Sequence, residues 1–127
     1  MKMLGKLMLA ATALAVSTPA AAQRWVLLGE RQVSDRAERD VIAVRGARRF
    51  SQVRICVARH SVAFRDVDIR FRNGGNQDVR MRSMIPADGC TGQINLRGRD
   101  RDIDRVVFNY EARSLGRRGA LVRLYGR

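Results

Sequence analysis

Four segments of this chain repeat apolar residues at every second position, and this period constrains the fold more than any other feature. The repeating residues are Val53, Ile55 and Val57; Val67, Ile69 and Phe71; Val106, Phe108 and Tyr110; and Ala120, Val122 and Leu124. Successive side chains of a β-strand point to opposite faces of the sheet, so the period predicts strands with one buried face. After residue 22, valine and isoleucine number 18 against six leucines, which also favours strands.

Shorter apolar runs predict further strands at residues 25–28, 40–44, 79–81 and 93–96, separated by Gly, Asn, Asp and Pro clusters that favour turns. Residues 34–39 are expected to form a helical turn. About eight short strands in about 100 residues predict one all-β domain. An antiparallel sandwich of the jelly-roll or immunoglobulin-like kind is expected, with a small barrel as the alternative.

The N-terminus has the order of a secretory signal. Lys2 and Lys6 precede the apolar run 7–16, and the small residues 20–22 follow it. This order predicts a signal peptide over residues 1–22, cleaved after Ala22, and a single domain over residues 23–127. The apolar run is shorter than the roughly 20 residues that span a bilayer, so no transmembrane segment is expected. The expected location is periplasmic or extracellular.

The chain that follows residue 22 is strongly basic. It has 23 arginines, no lysine and 12 acidic residues, a net charge of +11. Such a surface attracts polyanions, so the expected partners are an anionic glycan, lipopolysaccharide or an anionic membrane surface, or else an envelope protein. No specific nucleic-acid partner is expected, because the aromatic residues are too scattered to form a base-stacking platform. The arginine content is also compatible with a GC-rich genome, and this alternative stays open.

One hairpin can be predicted in detail, because residues that face each other across an antiparallel pair point to the same side of the sheet. Placing the apolar residues of both strands in the core excludes a two-residue turn and predicts a three-residue loop at 74–76. In this register Phe71 pairs with Val79, and Ile69 pairs with Met81.

The outer face of this predicted hairpin carries a concentration of arginines. The expected facing pairs are Arg70 with Arg80, Arg72 with Asp78, and Asp68 with Arg82. Like charges directly opposite each other destabilise a sheet, so the cluster Arg70, Arg72, Arg80 and Arg82 is a candidate anion-binding site. The alternative is a solvated strand surface whose charges discourage edge pairing.

Cys56 and Cys90 are the two cysteines of the chain. An even pair in a small exported domain usually forms a disulfide, and no Cys-x-x-Cys motif indicates a redox enzyme. We therefore predict a Cys56–Cys90 disulfide. Because Cys56 shares a face with Arg54, Cys90 is expected to fold back over that face.

The residues offer no catalytic or metal constellation. His60 is the one histidine and is expected in a surface loop, and a carboxylate pair among Asp66, Asp68 and Glu111 is the remaining hydrolase option. Asp100, Asp102, Asp104 and Glu111 have the spacing of calcium-loop ligands, but Arg105 stands where the turn needs glycine. We expect no catalytic residue, no metal and no cofactor.

An ordered set of apolar and turn positions extends over nearly the whole chain after residue 22. Its members are Trp25, Leu28, Gly29, Phe50, Val53, Arg54, Ile55, Phe71, Asn73, Gly74, Arg82, Ser83, Ile85, Ile94, Leu96, Gly98, Arg101, Ile103, Val106, Val107, Phe108, Tyr110, Leu124, Tyr125 and Gly126. The set resembles a family of small exported bacterial all-β proteins catalogued only as a domain of unknown function. The resemblance implies the fold and no catalytic residue, and the cysteine pair is not part of its pattern.

Two functional hypotheses follow. The first is a non-enzymatic binding module that contacts an anionic ligand or envelope polymer through its arginine-rich strand face. The second is a protein-interaction or inhibitor module that acts through loops such as residues 45–49 or 113–119. Salt distinguishes them, because polyanion binding weakens steeply with ionic strength.

Overall fold

The computed structural model describes residues 24–46 and 48–127, which form nine β-strands and one 3-10 turn. The predicted signal peptide lies outside these residues. The strands are β1 (Val26–Val33), β2 (Arg39–Ala43), β3 (Arg49–Phe50), β4 (Gln52–Ala58), β5 (Val62–Phe71), β6 (Asn76–Ile85), β7 (Ile94–Asn95), β8 (Arg101–Tyr110) and β9 (Ala120–Gly126). The 3-10 turn covers Ala112–Ser114. Over these two ranges, the structure has no helix of the length and apolarity needed to cross a membrane.

The strands form two antiparallel sheets. One has the order β1-β9-β4-β7 and the other β2-β8-β5-β6, and β3 also pairs with β8. Buried side chains from both sheets belong to one hydrophobic cluster. The prediction of an all-β, antiparallel domain is therefore confirmed, in a sandwich-like arrangement with a shared core.

The predicted faces are also confirmed. All twelve residues of the four period-two segments are buried, including Val53, Val67 and Val122 at 0% exposure. No helix forms at residues 34–39, where a helical turn is expected: Arg39 already belongs to β2, and in the turn before it the Ser34 hydroxyl accepts a hydrogen bond from the Arg36 N–H. A hydroxyl bonding the backbone two residues ahead favours a turn over a helix.

The β5–β6 hairpin differs from the predicted register. Val67 pairs with Val79 and Ile69 with Gln77, so the partners of residues 66–70 lie four positions earlier in β6 than expected. The loop has three residues, as predicted, but consists of residues 72–74. Its last residue, Gly74, has φ +101°, and the Asn73 side-chain oxygen accepts a hydrogen bond from the Gly75 N–H. This local bond favours the earlier turn, and a shift by an even number keeps every side chain on its predicted face.

The disulfide between Cys56 and Cys90 is confirmed, with Cα atoms 3.9 Å apart. Cys90 does not fold over the outer face of its sheet. Its segment instead runs along the free edge of β4, where the Val57 N–H donates to the Gly89 carbonyl and the Thr91 N–H donates to the Ile55 carbonyl. The two cysteines are thus edge-to-edge neighbours in an antiparallel bridge.

Candidate functional site

The hairpin separates the four predicted site arginines into two groups. Arg70 lies opposite Asn76 and Arg80 lies opposite Asp66, so the expected facing pair of Arg70 with Arg80 is wrong. The expected pairs of Arg72 with Asp78 and of Asp68 with Arg82 are wrong for the same reason, because the loop begins two residues earlier. Arg70 and Arg72 therefore lie at the loop end of the hairpin, and Arg80 and Arg82 lie farther along β6.

Arg72 is bound on several sides by other parts of the protein. Its guanidinium contacts the carboxylates of Asp102 at 3.2 Å and Asp104 at 3.4 Å. Its Nη2 also lies within 3.1 Å of the carbonyl oxygens of Val44, Gly46 and Ile103. With these acceptors around it, Arg72 ties the hairpin loop to β8 and to the chain after β2. Its arrangement is that of a structural residue.

Arg70 is paired within its own strand. Its Nε donates to the Asp68 carboxylate at 2.8 Å, and the Asn76 amide donates to the other oxygen of Asp68 at 2.9 Å. Burial opposes ionisation of Asp68, but these two hydrogen bonds and the Arg70 charge outweigh it and hold the pKa of Asp68 below its usual value. The charge of Arg70 is thus locally compensated.

Arg80 and Arg82 differ from these two arginines. Both are exposed, and neither side chain makes an ion pair or hydrogen bond with any part of residues 24–46 and 48–127 that the structure describes. They line an open groove of about 610 Å³. We call this cavity the β6 groove; it is lined by Ala63, Phe64, Arg65, Asp66, Arg80, Arg82, Ser83, Met84 and Glu111.

A β-bulge builds the β6 groove. The pairing steps from Asp66–Arg80 to Phe64–Ser83, so that two residues of β6, Met81 and Arg82, oppose Arg65 alone. A bulge of this kind bends the strand and redirects side chains. Met81 stays in the core at 8% exposure, while Arg82 remains exposed beside Arg80. The local geometry thus concentrates two unpaired guanidiniums at one edge of the sheet.

Acidic residues of the β6 groove, Asp66 and Glu111, partly offset its positive charge. Arg65 lies 3.9 Å from a Glu38 oxygen and 4.0 Å from a Glu111 oxygen, and Asp66 accepts a hydrogen bond from the Asn109 amide. Met84, 58% exposed, supplies an apolar wall. Planar guanidiniums match the oxygens of carboxylate, sulfate or phosphate two at a time. The β6 groove can therefore bind an oxyanion and pack a small apolar group beside it.

Sequence reasoning missed Arg65 and Met84 as groove residues. The period of two marks Met84 as outward-facing, but continued from Val67, Ile69 and Phe71 it would place Arg65 on the core face. Arg65 is exposed because the bulge changes the phase of β5, and no glycine or proline in these stretches of sequence indicates the bulge.

Two of the carboxylates considered for a hydrolase, Asp66 and Glu111, line the β6 groove. The other sequence candidates lie apart from it. Asp102 and Asp104 lie on β8 and contact Arg72. The Nδ1 of His60 is 2.8 Å from the carbonyl oxygen of Ser61, in the turn between β4 and β5. Within the described ranges, no group of three or more His, Cys, Asp or Glu side chains is arranged to hold a metal ion.

The comparisons with known proteins bear on the family and not on the activity. The sequence profile of the family described as Domain of unknown function (DUF2541) matches residues 7–126. A comparison with curated proteins finds no significant match. Among solved structures, the chain is similar to AlgX of Pseudomonas aeruginosa, with a TM-score of 0.49 and 14% identity over 83% of this chain and 27% of AlgX. The chain thus spans about a quarter of the length of AlgX, and this likeness carries no argument about function.

Proposed function

This protein belongs to the DUF2541 family, in agreement with the resemblance noted in its sequence, and we propose that it is a non-enzymatic module that binds an anionic ligand or envelope polymer in the β6 groove. The observation that carries the proposal is the contrast between two pairs of arginines on one hairpin. Arg70 and Arg72 are neutralised by carboxylates, whereas Arg80 and Arg82 have no acidic partner among the described residues.

Unpaired guanidiniums are effective anion ligands because no internal carboxylate has to be displaced before binding. The net charge of the chain after residue 22, +11, adds a long-range attraction for polyanions. The exposed position of Arg80 and Arg82 leaves their charge partly screened by solvent and salt, so a single oxyanion is expected to bind weakly. A polymer with repeated charges gains affinity by occupying the groove and the surrounding arginine-rich surface together.

The proposed setting is outside the cytoplasm, in the periplasm or the extracellular space. The Cys56–Cys90 disulfide supports it, because such bonds persist in oxidising compartments. The order of charged, apolar and small residues over 1–22 supports it as well. Mass analysis of the secreted protein should show an N-terminus at Gln23, and retention of residues 1–22 would contradict the proposed cleavage.

We also propose the jelly-roll form of the sandwich over the immunoglobulin-like form. A jelly roll has eight strands in two four-stranded sheets linked by Greek-key connections. The chain's two four-stranded orders, β1-β9-β4-β7 and β2-β8-β5-β6, support this form, with β3 as a short addition beside β8.

The test compares two double variants that each remove two positive charges. Arg80→Gln with Arg82→Gln alters the β6 groove, and the matched control, Arg97→Gln with Arg99→Gln, alters an exposed turn between β7 and β8. Heparin, lipopolysaccharide and anionic vesicles are titrated against each protein over a series of NaCl concentrations. The groove variant should lose about tenfold in affinity for one of these ligands, and its salt slope should fall by about two, while the control keeps the wild-type slope.

Equal losses of affinity in the two double variants would show that binding depends on the net positive charge of the surface and that the β6 groove is not a specific site. Binding that is unaffected by salt would favour the protein-interaction alternative, with its contacts in loops such as 45–49 or 113–119.

A further inference from the structure

An arginine without an ion pair among the described residues also lies on the other sheet, against the one tryptophan of the chain. The guanidinium carbon of Arg54 is 4.6 Å from the centre of the Trp25 ring and 5.6 Å from the centre of the Tyr125 ring. The guanidinium carbon of Arg127 is 4.4 Å from the same Trp25 ring. We call these four residues the Trp25 stack.

Strand pairing positions the Trp25 stack on the outer face of its sheet. Arg54 on β4 lies directly opposite Tyr125 on β9, between core residues Val53 and Ile55. Between the Cys56–Cys90 bridge and the Val53–Ile94 pair, β4 has two residues and the neighbouring segment has three, so the edge beside Arg54 is irregular.

Arg127 is held firmly at this edge. Its Nε donates to the Gln52 side chain at 2.7 Å, and its Nη2 donates to the Gln93 side chain at 2.8 Å. Its backbone N–H and carbonyl also bond to the backbone of Gln52. One member of the Trp25 stack is therefore anchored by hydrogen bonds to two side-chain amides.

Arg54 has no such anchor. Its Nε is sealed from solvent and finds no hydrogen-bond acceptor, and its side chain makes no ion pair within the described residues. The side chain as a whole is only half-buried, and its terminal nitrogens make no hydrogen bond or ion pair with the described residues. A guanidinium with unused donors, oriented by two aromatic rings, is prepared to receive two oxygens of one anion.

The surroundings of Arg54 favour an anion. Arg123 lies on the same face of β9, two residues from Tyr125, and Glu30, which faces it across the β1–β9 pair, is engaged by Arg123 at 3.1 Å. The aromatic rings restrict the guanidinium plane and lower the entropy lost when an oxyanion binds to its edge.

We propose that the Trp25 stack is a second oxyanion site, which takes a carboxylate, sulfate or phosphate group on the free edge of Arg54. It lies on the β1-β9-β4-β7 sheet, whereas the β6 groove lies on the other sheet, so this proposal does not rest on the first. A ligand held here contacts the guanidinium that packs on Trp25, and binding changes the electrostatic environment of that ring.

Trp25 is the only tryptophan, which makes its fluorescence a direct probe of this site. Sulfate, inorganic phosphate and glucuronate are titrated separately into the protein spanning residues 23–127, with NaCl adjusted to hold ionic strength constant. At least one of the three should produce a saturable change in emission that chloride does not produce. The anion whose titration saturates at the lowest concentration identifies the class of oxyanion that the site prefers.

Three variants locate the response. Arg54→Gln removes the charge, and Arg54→Lys keeps a charge beside the ring but removes the planar pair of donors. Each of the two Arg54 variants should lower the affinity measured from the saturable response at least tenfold. That is roughly the loss of one charge-assisted hydrogen bond. Arg82→Gln, in the β6 groove, should leave it unchanged.

A response that is linear in concentration, or that is equal for chloride, would overturn the proposal. An unchanged response in Arg54→Lys would also overturn it, and this variant decides the matter if Arg54→Gln fails to fold in a thermal unfolding control. Loss of the response in Arg82→Gln would assign it to the β6 groove and so reject the Trp25 stack as a site.

Discussion

Replacing Arg72 with glutamine should destabilise the domain far more than the loss of an ordinary surface arginine. The side chain of Arg72 is 40% exposed, yet its guanidinium contacts two carboxylates and three carbonyl oxygens. Glutamine is too short to reach all of them. The Asp102 Oδ1 is already buried without a partner, and the variant would remove the hydrogen bond to the Oδ2 as well.

The size of the effect follows from how exposed each contact is. The two ion pairs are largely screened and together contribute about 1 kcal/mol. The carbonyls of Val44 and Ile103 are partly buried, and a hydrogen bond from a charged donor to each contributes about 1 kcal/mol after the same screening. The free energy of unfolding should therefore fall by about 2 to 3 kcal/mol, which lowers the Tm of a domain of this size by roughly 10 °C or more.

Urea denaturation followed by circular dichroism measures this loss, with Arg105→Gln as the matched control. Arg105 makes one ion pair, with Asp104 at 3.0 Å, and is 44% exposed. Its replacement removes the same charge and should cost less than about 1 kcal/mol. If the two variants differ by less than about 0.5 kcal/mol, the contacts of Arg72 contribute no more than a surface pair, and its structural role is refuted.

Three further predictions concern stability. Replacing Cys56 and Cys90 with alanine removes a cross-link between residues separated by 34 positions in sequence and should lower the free energy of unfolding by about 4 kcal/mol. Urea denaturation measures this, and an unchanged urea midpoint would contradict it. The pKa of Asp68 is lowered in the folded protein, so its ionised carboxylate stabilises the fold above about pH 4, and this stabilisation is lost as the pH falls through the folded-state pKa. Asp68→Asn should therefore make the free energy of unfolding less dependent on pH in that range. The same pH dependence in the variant and the wild type would count against this role. Tyr110→Phe removes a buried hydroxyl that donates to Asp40 at 2.7 Å, and calorimetry should show a loss of about 1 kcal/mol, while a more stable variant would contradict the role of this bond.

The β5–β6 hairpin shows how far local pattern carries and where it stops. The period of two places Val67, Ile69 and Phe71 in the core, and the structure buries all three. The same parity is satisfied by a loop at 74–76 and by a loop at 72–74. The hydrogen bond from the Gly75 N–H to the Asn73 side chain selects the second, and with it a different partner for every arginine on the hairpin.

The candidate sites show the same limit more strongly. Arg72 and Arg80 are both outward-facing arginines in the same sequence pattern. Arg72 is neutralised by Asp102 and Asp104, which follow it by about 30 residues, whereas Arg80 meets no carboxylate within 4 Å in the described structure. The aromatic contacts of Arg54 are also set by the tertiary structure, because Trp25 and Tyr125 lie near opposite ends of the sequence.

The sequence by itself determined the strands other than the short β3, the buried faces of the four alternating segments and of the β5–β6 hairpin, the pairing of the two cysteines and the excess of positive charge. Each of these depends on residue type or on a period of two along one segment. Only the tertiary structure decided the register, the strand order and which arginines are left without a carboxylate. The physical reason is that alternation specifies which face a side chain occupies but not which strand lies beside it. That neighbour is chosen by turns, bulges and long-range pairing, and in this protein it separates a structural arginine from one open to a ligand.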